Sequence, residues 1–262
     1  MEIILSIIKI YSVLLLLRYV MSPQELVFNS LGRGIAKLTN PIFNLLKLPK
    51  SSEAVVIPSV VIALFLGYGL IRSVALSSPV IFEIILALQS MLNFLTLFFI
   101  VCVVLGSITA PSYGGLPLYI FRLGKLWVKP VHNFTKIRAN KAVIPALILL
   151  IILNALLWGG LGLFIFNHEA LPILIVQNLG INILVAILHY LVFLIIVRAL
   201  LSWFNPDPRN MLVQLVYYIT EPVLSPMRRI IPPIGMLDLS AFIAIIVLGI
   251  MAGALKQFFA LM

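Results

Sequence analysis

Six long apolar runs constrain this chain more than any other feature. With 63% hydrophobic and 10% charged residues, its 262 residues carry more apolar surface than one soluble core could bury. The runs have the length that a helix needs to cross a bilayer, and they predict spans at about residues 3–21, 54–72, 86–106, 142–165, 182–203 and 236–258. They must be helical, because an unpaired backbone amide in hydrocarbon is costly and continuous apolar runs do not alternate like barrel strands. The sequence therefore predicts an all-α membrane protein.

Lysine and arginine are concentrated in three of the connecting loops. The loops after spans one, three and five are basic, whereas residues 74–85 and 165–181, after spans two and four, contain no lysine or arginine. By the positive-inside rule, the basic loops face the cytoplasm. The first run has neither a basic leading region nor a cleavage site, so we expect it to stay as a span. With six spans, both termini then lie outside. We therefore expect a multi-pass membrane protein, which in a bacterium would lie in the plasma (inner) membrane.

The formal net charge of +10 then lies mainly on one membrane face. Anionic headgroups attract each basic residue near that face by about 1 kcal/mol. Nucleic acid, the other partner of basic surfaces, requires a groove or aromatic platforms that the sequence does not indicate. The expected partners are therefore anionic lipids and other membrane proteins, with the chain alone or as a homo-oligomer.

Similar segments follow spans one, three and five. They read TNPIFNLLK at 39–47, VKPVHNFTK at 128–136 and TEPVLSPMR at 220–228, each with proline at the third place and lysine or arginine six residues later. This periodicity predicts three parallel helix–loop–helix repeats, each with a short interfacial helix in its cytoplasmic loop. A threefold ring and a linear row of hairpins both remain open. The predicted repeats are residues 1–76, 77–166 (the divergent copy) and 167–262.

The third copy contains more specific segments. The segments RALLSWFNPDPRN, ITEPVLSPMRRIIPPIG and LDLSAFIAIIVLG closely resemble the signature of the YggT family, also called the YlmG family. The resemblance is strong over about residues 183–258 and, through the repeats, fainter over most of residues 5–165. Family members often have two such units, so a three-unit chain is similar to an extended variant.

The resemblance implies a small polytopic membrane protein with no shared chemical activity. Bacterial members are linked to osmotic or potassium-related stress tolerance and to envelope or division phenotypes, and chloroplast relatives to assembly of the cytochrome b6 haem. The first two copies lack counterparts of Asp207 and Glu221, which argues against a function that needs three equal units. The family's polar pattern is complete only at Arg198, Asn205, Pro206, Asp207, Pro208, Arg209, Glu221, Pro222, Arg228, Arg229, Pro232 and Asp238.

Charged residues within spans are functional candidates, because they are expensive to place there. Arg18 and Arg198 each lie about one turn from the cytoplasmic end of a span. Two interpretations stay open: the side chain snorkels to the headgroups, or it binds a specific partner such as a carboxylate or a lipid phosphate. Lys9 lies deeper, and a shift of its helix in depth would explain it.

The third basic loop supplies most of the other candidates. Its acidic and basic residues form an ion-pair cluster, or its arginines hold anionic lipid or a partner protein bidentately. Trp203 suits the interfacial aromatic belt, while Asp238 caps the helix of span six or binds a cation. The candidate lipid or partner contacts are Arg18, Arg198, Trp203, Asn205, Asp207, Arg209, Glu221, Arg228, Arg229 and Asp238.

Enzymatic and metal chemistry are not indicated by the sequence. It contains no phosphate-binding glycine loop and no Ser/His/acid arrangement near an interface. Cys102 is the only cysteine, and the histidines are not spaced to grip haem or metal, so we expect no cofactor. His189 is expected to hydrogen-bond between helices.

Two functions fit these observations. The first is a non-enzymatic membrane scaffold or assembly factor that contributes to envelope or osmotic-stress tolerance. The alternative is a small channel or transporter for ions such as potassium. The scarcity of polar residues within the spans favours the scaffold, because cation paths usually need lining oxygens.

Overall fold

A computed structural model describes residues 1–45, 53–108, 116–136, 141–166, 168–204, 210–230 and 239–262. The described part is helical throughout and contains no strand, and six of its helices are long and apolar enough to cross a membrane. The predicted all-α membrane fold is therefore confirmed. The helices are α1 Glu2–Val20, α2 Pro23–Phe28, α3 Ser30–Leu45, α4 Glu53–Leu76, α5 Val80–Ile108, α6 Leu116–Thr135, α7 Val143–Gly162, α8 Leu171–Gln177, α9 Ala186–Phe204, α10 Met211–Ile230 and α11 Leu239–Leu261.

Two spans begin earlier than the sequence predicts. Span three begins at Val80, because Glu83 in the first turn of α5 pairs with Arg72 and so does not end the helix. Span five begins at Leu171, where α8 continues through a π-helical segment, Asn178–Val185, into α9. Within that segment the Asn182 amide donates to Asn178 Oδ1 at 2.9 Å. The pairing of the two amides allows a polar stretch to stay helical.

Helices α3, α6 and α10 follow spans one, three and five and are amphipathic, whereas the spans are evenly apolar. They are 16, 20 and 20 residues long, longer than the short helices that the sequence predicts. Each continues through a proline, at Pro41, Pro130 and Pro222. Proline removes one backbone hydrogen bond, and a helix lying in the interface can compensate because headgroups or water reach the unpaired carbonyl.

The described helices form two compact units. The first contains α1 to α4, α7 and all but the adjoining ends of α5 and α6, and the second contains α8, the π-helical segment and α9 to α11. The core of the first includes Leu15, Ile57 and Phe65, which are fully buried. In the second, Leu224 of α10 packs with Ile195 of α9 and the alanines of α11. The apolar face of α10 is thus part of the core of its unit.

Candidate functional site

Arg198 of α9 lies buried against α10. Its Nη1 donates to Thr220 Oγ1 at 2.8 Å and its Nη2 donates to Glu221 Oε2 at 2.7 Å. The guanidinium stacks over Tyr217, 4.2 Å from the ring centroid, and the residue is only 7% exposed. Arg198 therefore links α9 to α10 instead of reaching out to the surface. We call these four residues the Arg198 clamp.

Arg18 of α1 makes a matching set of contacts with α3. Its Nη1 donates to Thr39 Oγ1 at 2.8 Å and to Asn40 Oδ1 at 2.7 Å. The guanidinium lies over Phe43 at 4.2 Å, and Arg18 is 5% exposed. A buried arginine is costly unless its charge finds hydrogen-bond acceptors, and in both clamps the guanidinium donates to side chains of the next amphipathic helix. We call this group the Arg18 clamp.

The threonine at the centre of each clamp is held by its own helix. The Thr39 hydroxyl donates to Ile35 O at 2.7 Å, and the Thr220 hydroxyl donates to Val216 O at 2.7 Å. Each hydroxyl oxygen is thereby oriented to accept from the arginine. In each clamp, one threonine hydroxyl thus connects the arginine to the helix backbone. Both threonines are fully buried.

The two clamps differ in charge at the residue after the threonine. Asn40 is neutral, whereas Glu221 is a carboxylate that also accepts from Arg228 Nη1 at 3.0 Å. The Glu221 side chain is 47% exposed, while that of Arg198 is 9% exposed. Glu221 therefore joins a buried arginine to a partly exposed one. Of the predicted ion-pair cluster, the structure describes the pair between Glu221 and Arg228, whereas Asp207 and Arg209 lie outside the described residues.

The remaining predicted contacts are placed as follows. Arg229 is exposed in the last turn of α10, and Trp203 lies in α9 next to its final residue. Lys9 is partly buried in α1. His189 Nδ1 lies 2.9 Å from Val185 O of the same continuous helix, so its contact is not the predicted one between helices. Asn205, Asp207, Arg209 and Asp238 lie outside the described residues.

The middle copy has no arginine clamp. In the register of the predicted repeats, Val103 takes the place of the arginine and Val128 that of the threonine. Helix α6 instead approaches the backbone of α5, because a Cβ added at Gly124 would lie 2.6 Å from the Cys102 carbonyl oxygen. Direct backbone contact thus replaces the polar link.

A tie between α2 and α6 was missed at the level of sequence. Arg122 Nη1 donates to Glu25 Oε2 at 2.7 Å and to Val20 O at 3.1 Å. Ser22 and Glu25 form a reciprocal capping box at the start of α2. The pattern Ser-x-x-Glu in the sequence could have revealed this capping box. Burial raises the pKa of Glu25, but the bonds from Arg122 and Ser22 outweigh it and hold the pKa below its ordinary value.

An ion pair between a partly exposed arginine and a buried glutamate joins α4 to α5 and was also missed. Arg72 Nε lies 2.8 Å from Glu83 Oε2, and Ser78 Oγ donates to Glu83 Oε1 at 2.8 Å. Glu83 is 2% exposed. Arg72 lies just before residues 74–85, a stretch without lysine or arginine. Counting basic residues loop by loop therefore does not pair Arg72 with Glu83.

Polar side chains also line the contact between α5 and α7. The Asn154 amide donates to Thr96 Oγ1 at 3.0 Å and to Asn93 Oδ1 at 3.2 Å. Gln89 Nε2 donates to Trp158 O at 3.1 Å. Gln89, Asn93 and Thr96 have the spacing of one helix face, which the sequence could have shown. We call these residues with Asn154 the polar row.

The part of the chain that the structure describes contains no group of three His, Cys, Asp or Glu side chains that could hold a metal ion. Among the described residues, the site presents arginine and carboxylate groups, and two arginines link spans to amphipathic helices.

Comparison with family models points to the second unit. The CCB3/YggT family model matches residues 177–259. Over 56 residues, the chain is 36% identical to an uncharacterized protein of Haemophilus influenzae, 43% to one of Pseudomonas aeruginosa, and 41% to an uncharacterized protein in the proC 3′ region of Vibrio alginolyticus. Each match covers 21% of this chain.

The chain spans 28–30% of the length of these curated relatives. No solved structure matches it significantly. The matched residues 177–259 include Arg198, Thr220 and Glu221, whereas the Arg18 clamp lies outside them. The similarity to the YggT family thus rests on the unit that contains the Arg198 clamp.

Proposed function

We propose that this protein is a non-enzymatic membrane scaffold or assembly factor that contributes to envelope or osmotic-stress tolerance. The observation that carries the proposal is the Arg198 clamp. It places a costly buried arginine where it fixes α10 to α9, and it leaves Arg228 and Arg229 at the end of α10. A rigid, basic, amphipathic helix is suited to holding anionic lipid or a partner protein in one orientation.

Exposed cations on all three amphipathic helices support this proposal. They lie on the helices that follow the predicted cytoplasmic ends of the spans, where anionic headgroups attract them. These exposed residues are Arg33 and Lys37 of α3, Lys125 and Lys129 of α6, and Arg229 of α10.

The alternative, an ion channel or transporter, has one observation in its favour. The polar row places amide and hydroxyl groups between α5 and α7, at the depth where an ion path would need them. These groups bond to one another and to the Trp158 carbonyl, however, which is how polar side chains join helices in a membrane. We therefore prefer the scaffold.

Ion flux into liposomes separates these two functions. The purified chain, verified as inserted and folded, is compared with Arg198→Ala and Asp238→Ala. We expect vesicles that remain tight to potassium with all three proteins. A selective potassium flux in the wild type that either substitution changes would overturn the scaffold and establish the alternative.

Charge reversal tests the basic face in cells. A bacterial strain lacking this chain receives Arg229→Glu or Lys256→Glu, two substitutions of exposed cations that change the net charge equally. Arg229 lies on the predicted cytoplasmic face and Lys256 near the predicted outer face. We expect Arg229→Glu alone to lose growth after an osmotic upshift, at equal protein level. Equal growth of the two variants would contradict the proposal.

A further inference from the structure

A partly open apolar groove of about 530 Å³ lies within the first unit. Its walls come from the spans α1, α4, α5 and α7 and from the amphipathic helix α6. The lining is aliphatic and aromatic, and its polar groups are confined to Tyr19 and Trp127. Such a lining excludes a charged ligand from the groove itself, because no polar group there could replace its hydration.

The groove lies toward the ends of the spans that the sequence places on the cytoplasmic side. Leu16 and Tyr19 are close to the end of α1, while Ile57 and Leu149 are close to the beginnings of α4 and α7. All of these helix ends adjoin the predicted cytoplasmic loops. Hydrocarbon is the medium at this depth, and Tyr19 and Trp127 have the amphipathic rings that are enriched where hydrocarbon meets headgroups.

An exposed lysine borders this groove. Lys129 of α6 is adjacent to Pro130 and three residues from Leu126, and both of these line the groove. In the register of the predicted repeats, Lys129 corresponds to Asn40 and Glu221, which accept hydrogen bonds from the clamp arginines. The middle copy has Val103 in place of the arginine, so Lys129 has no corresponding arginine beside it. Its place in α6, between two lining positions, would bring the Lys129 cation to the rim of the groove.

We propose that the groove binds one acyl chain of an anionic phospholipid, whose phosphate lies against Lys129. A flexible acyl chain follows a groove of this size and would contact apolar atoms along its length. The assignment goes beyond the proposed function and does not depend on it, because lipid would occupy the groove whether or not the basic face recruits a partner.

Photo-crosslinking tests the occupant in the complete chain. The protein is reconstituted in nanodiscs with phosphatidylglycerol that carries a diazirine on one acyl chain, and the modified peptides are mapped. We expect adducts on peptides that line the groove. Ile62→Trp fills the groove from an exposed lining position and should lower their yield roughly tenfold, since several methylene contacts are lost. Leu156→Trp, on an exposed position of α7 outside the lining, should leave it unchanged.

The headgroup is tested with a second pair of variants. Lys129→Gln should reduce the preference for phosphatidylglycerol over phosphatidylcholine about fivefold, whereas Lys37→Gln on α3, which contributes no lining residue, should not. Adducts spread evenly over the lipid-facing helices and insensitive to Ile62→Trp would show ordinary boundary lipid and overturn the proposal. Equal adduct yields from Ile62→Trp and Leu156→Trp would overturn it as well. Neither result bears on the growth and flux tests of the scaffold.

Discussion

At the scale of single residues, the clamps show how this chain tolerates two arginines within its apolar spans. Thr39 and Thr220 each place one hydroxyl between a guanidinium and a backbone carbonyl. A hydrogen bond to a charged group contributes about 1.5–3 kcal/mol, and an unpaired buried donor costs a similar amount. The threonines therefore determine whether the buried arginines hold the amphipathic helices.

Replacing Thr220 by valine should destabilise the second unit by about 1–3 kcal/mol, because Arg198 loses an acceptor while the shape of the side chain is kept. Thermal unfolding in detergent measures this loss. Thr135→Val is the matched control, since the exposed Thr135 hydroxyl also donates to its own helix, at Val131 O, 2.7 Å away. Equal losses in the two variants would show that the arginine contact contributes nothing.

The arginines could be selected from the sequence, but their partners could not. A charged residue in an apolar run is visible without a structure, whereas Thr220 is 22 residues from Arg198 and across a loop. No helical or strand periodicity connects positions so far apart. The recurring threonine in TNP and TEP was the one available signal.

At the scale of elements, helix packing depends on glycines that composition cannot distinguish. A Cβ at Gly69 of α4 would lie 2.9 Å from Ile84 Cα, whereas one at Gly67 would meet nothing within 4 Å. Two glycines of the same helix thus have different roles, because only Gly69 lies where α4 touches the backbone of α5.

Gly69→Ala should separate α4 from α5 and destabilise the first unit by about 1–3 kcal/mol. Gly67→Ala should be neutral or stabilise it by about 0.5–1 kcal/mol, because alanine loses less backbone entropy in a helix. Unfolding of both variants in the same detergent provides the comparison. The interpretation would be wrong if Gly67→Ala proved the more harmful change.

The tie between α2 and α6 should depend on pH. Because the pKa of Glu25 is lowered in the folded state, its contribution is present above the unfolded-state pKa and is lost as the pH falls through the folded-state pKa. The melting temperature of Glu25→Gln should therefore lie about 2 °C below that of the wild type at neutral pH, and the two should converge in acid. A difference that stays constant down to acidic pH would exclude ionisation as its cause.

At the scale of the whole molecule, the number of spans was predictable and the organisation of the chain was less so. Apolar length forces each run to be a helix, because lipid leaves the backbone no other hydrogen-bonding partner. The start of span five at Leu171 was missed because Asn178 and Asn182 interrupt the apolar pattern and compensate each other only in the folded helix. The two compact units likewise depend on contacts that a repeat pattern does not contain.

Cysteine labelling in intact cells tests the predicted sidedness. Cys102 is the only cysteine and is buried, so Cys102→Ala provides a background without cysteine. Cysteines introduced at Glu169 or Lys256 should react with a membrane-impermeant maleimide, because an even number of spans with basic loops inside places both positions outside. Cysteines introduced at Lys136 or Arg229 should react only after the membrane is permeabilised. The reverse pattern would place the basic helices outside, where they could not meet the anionic lipids of the cytoplasmic leaflet, and the scaffold proposal would lose its lipid partner.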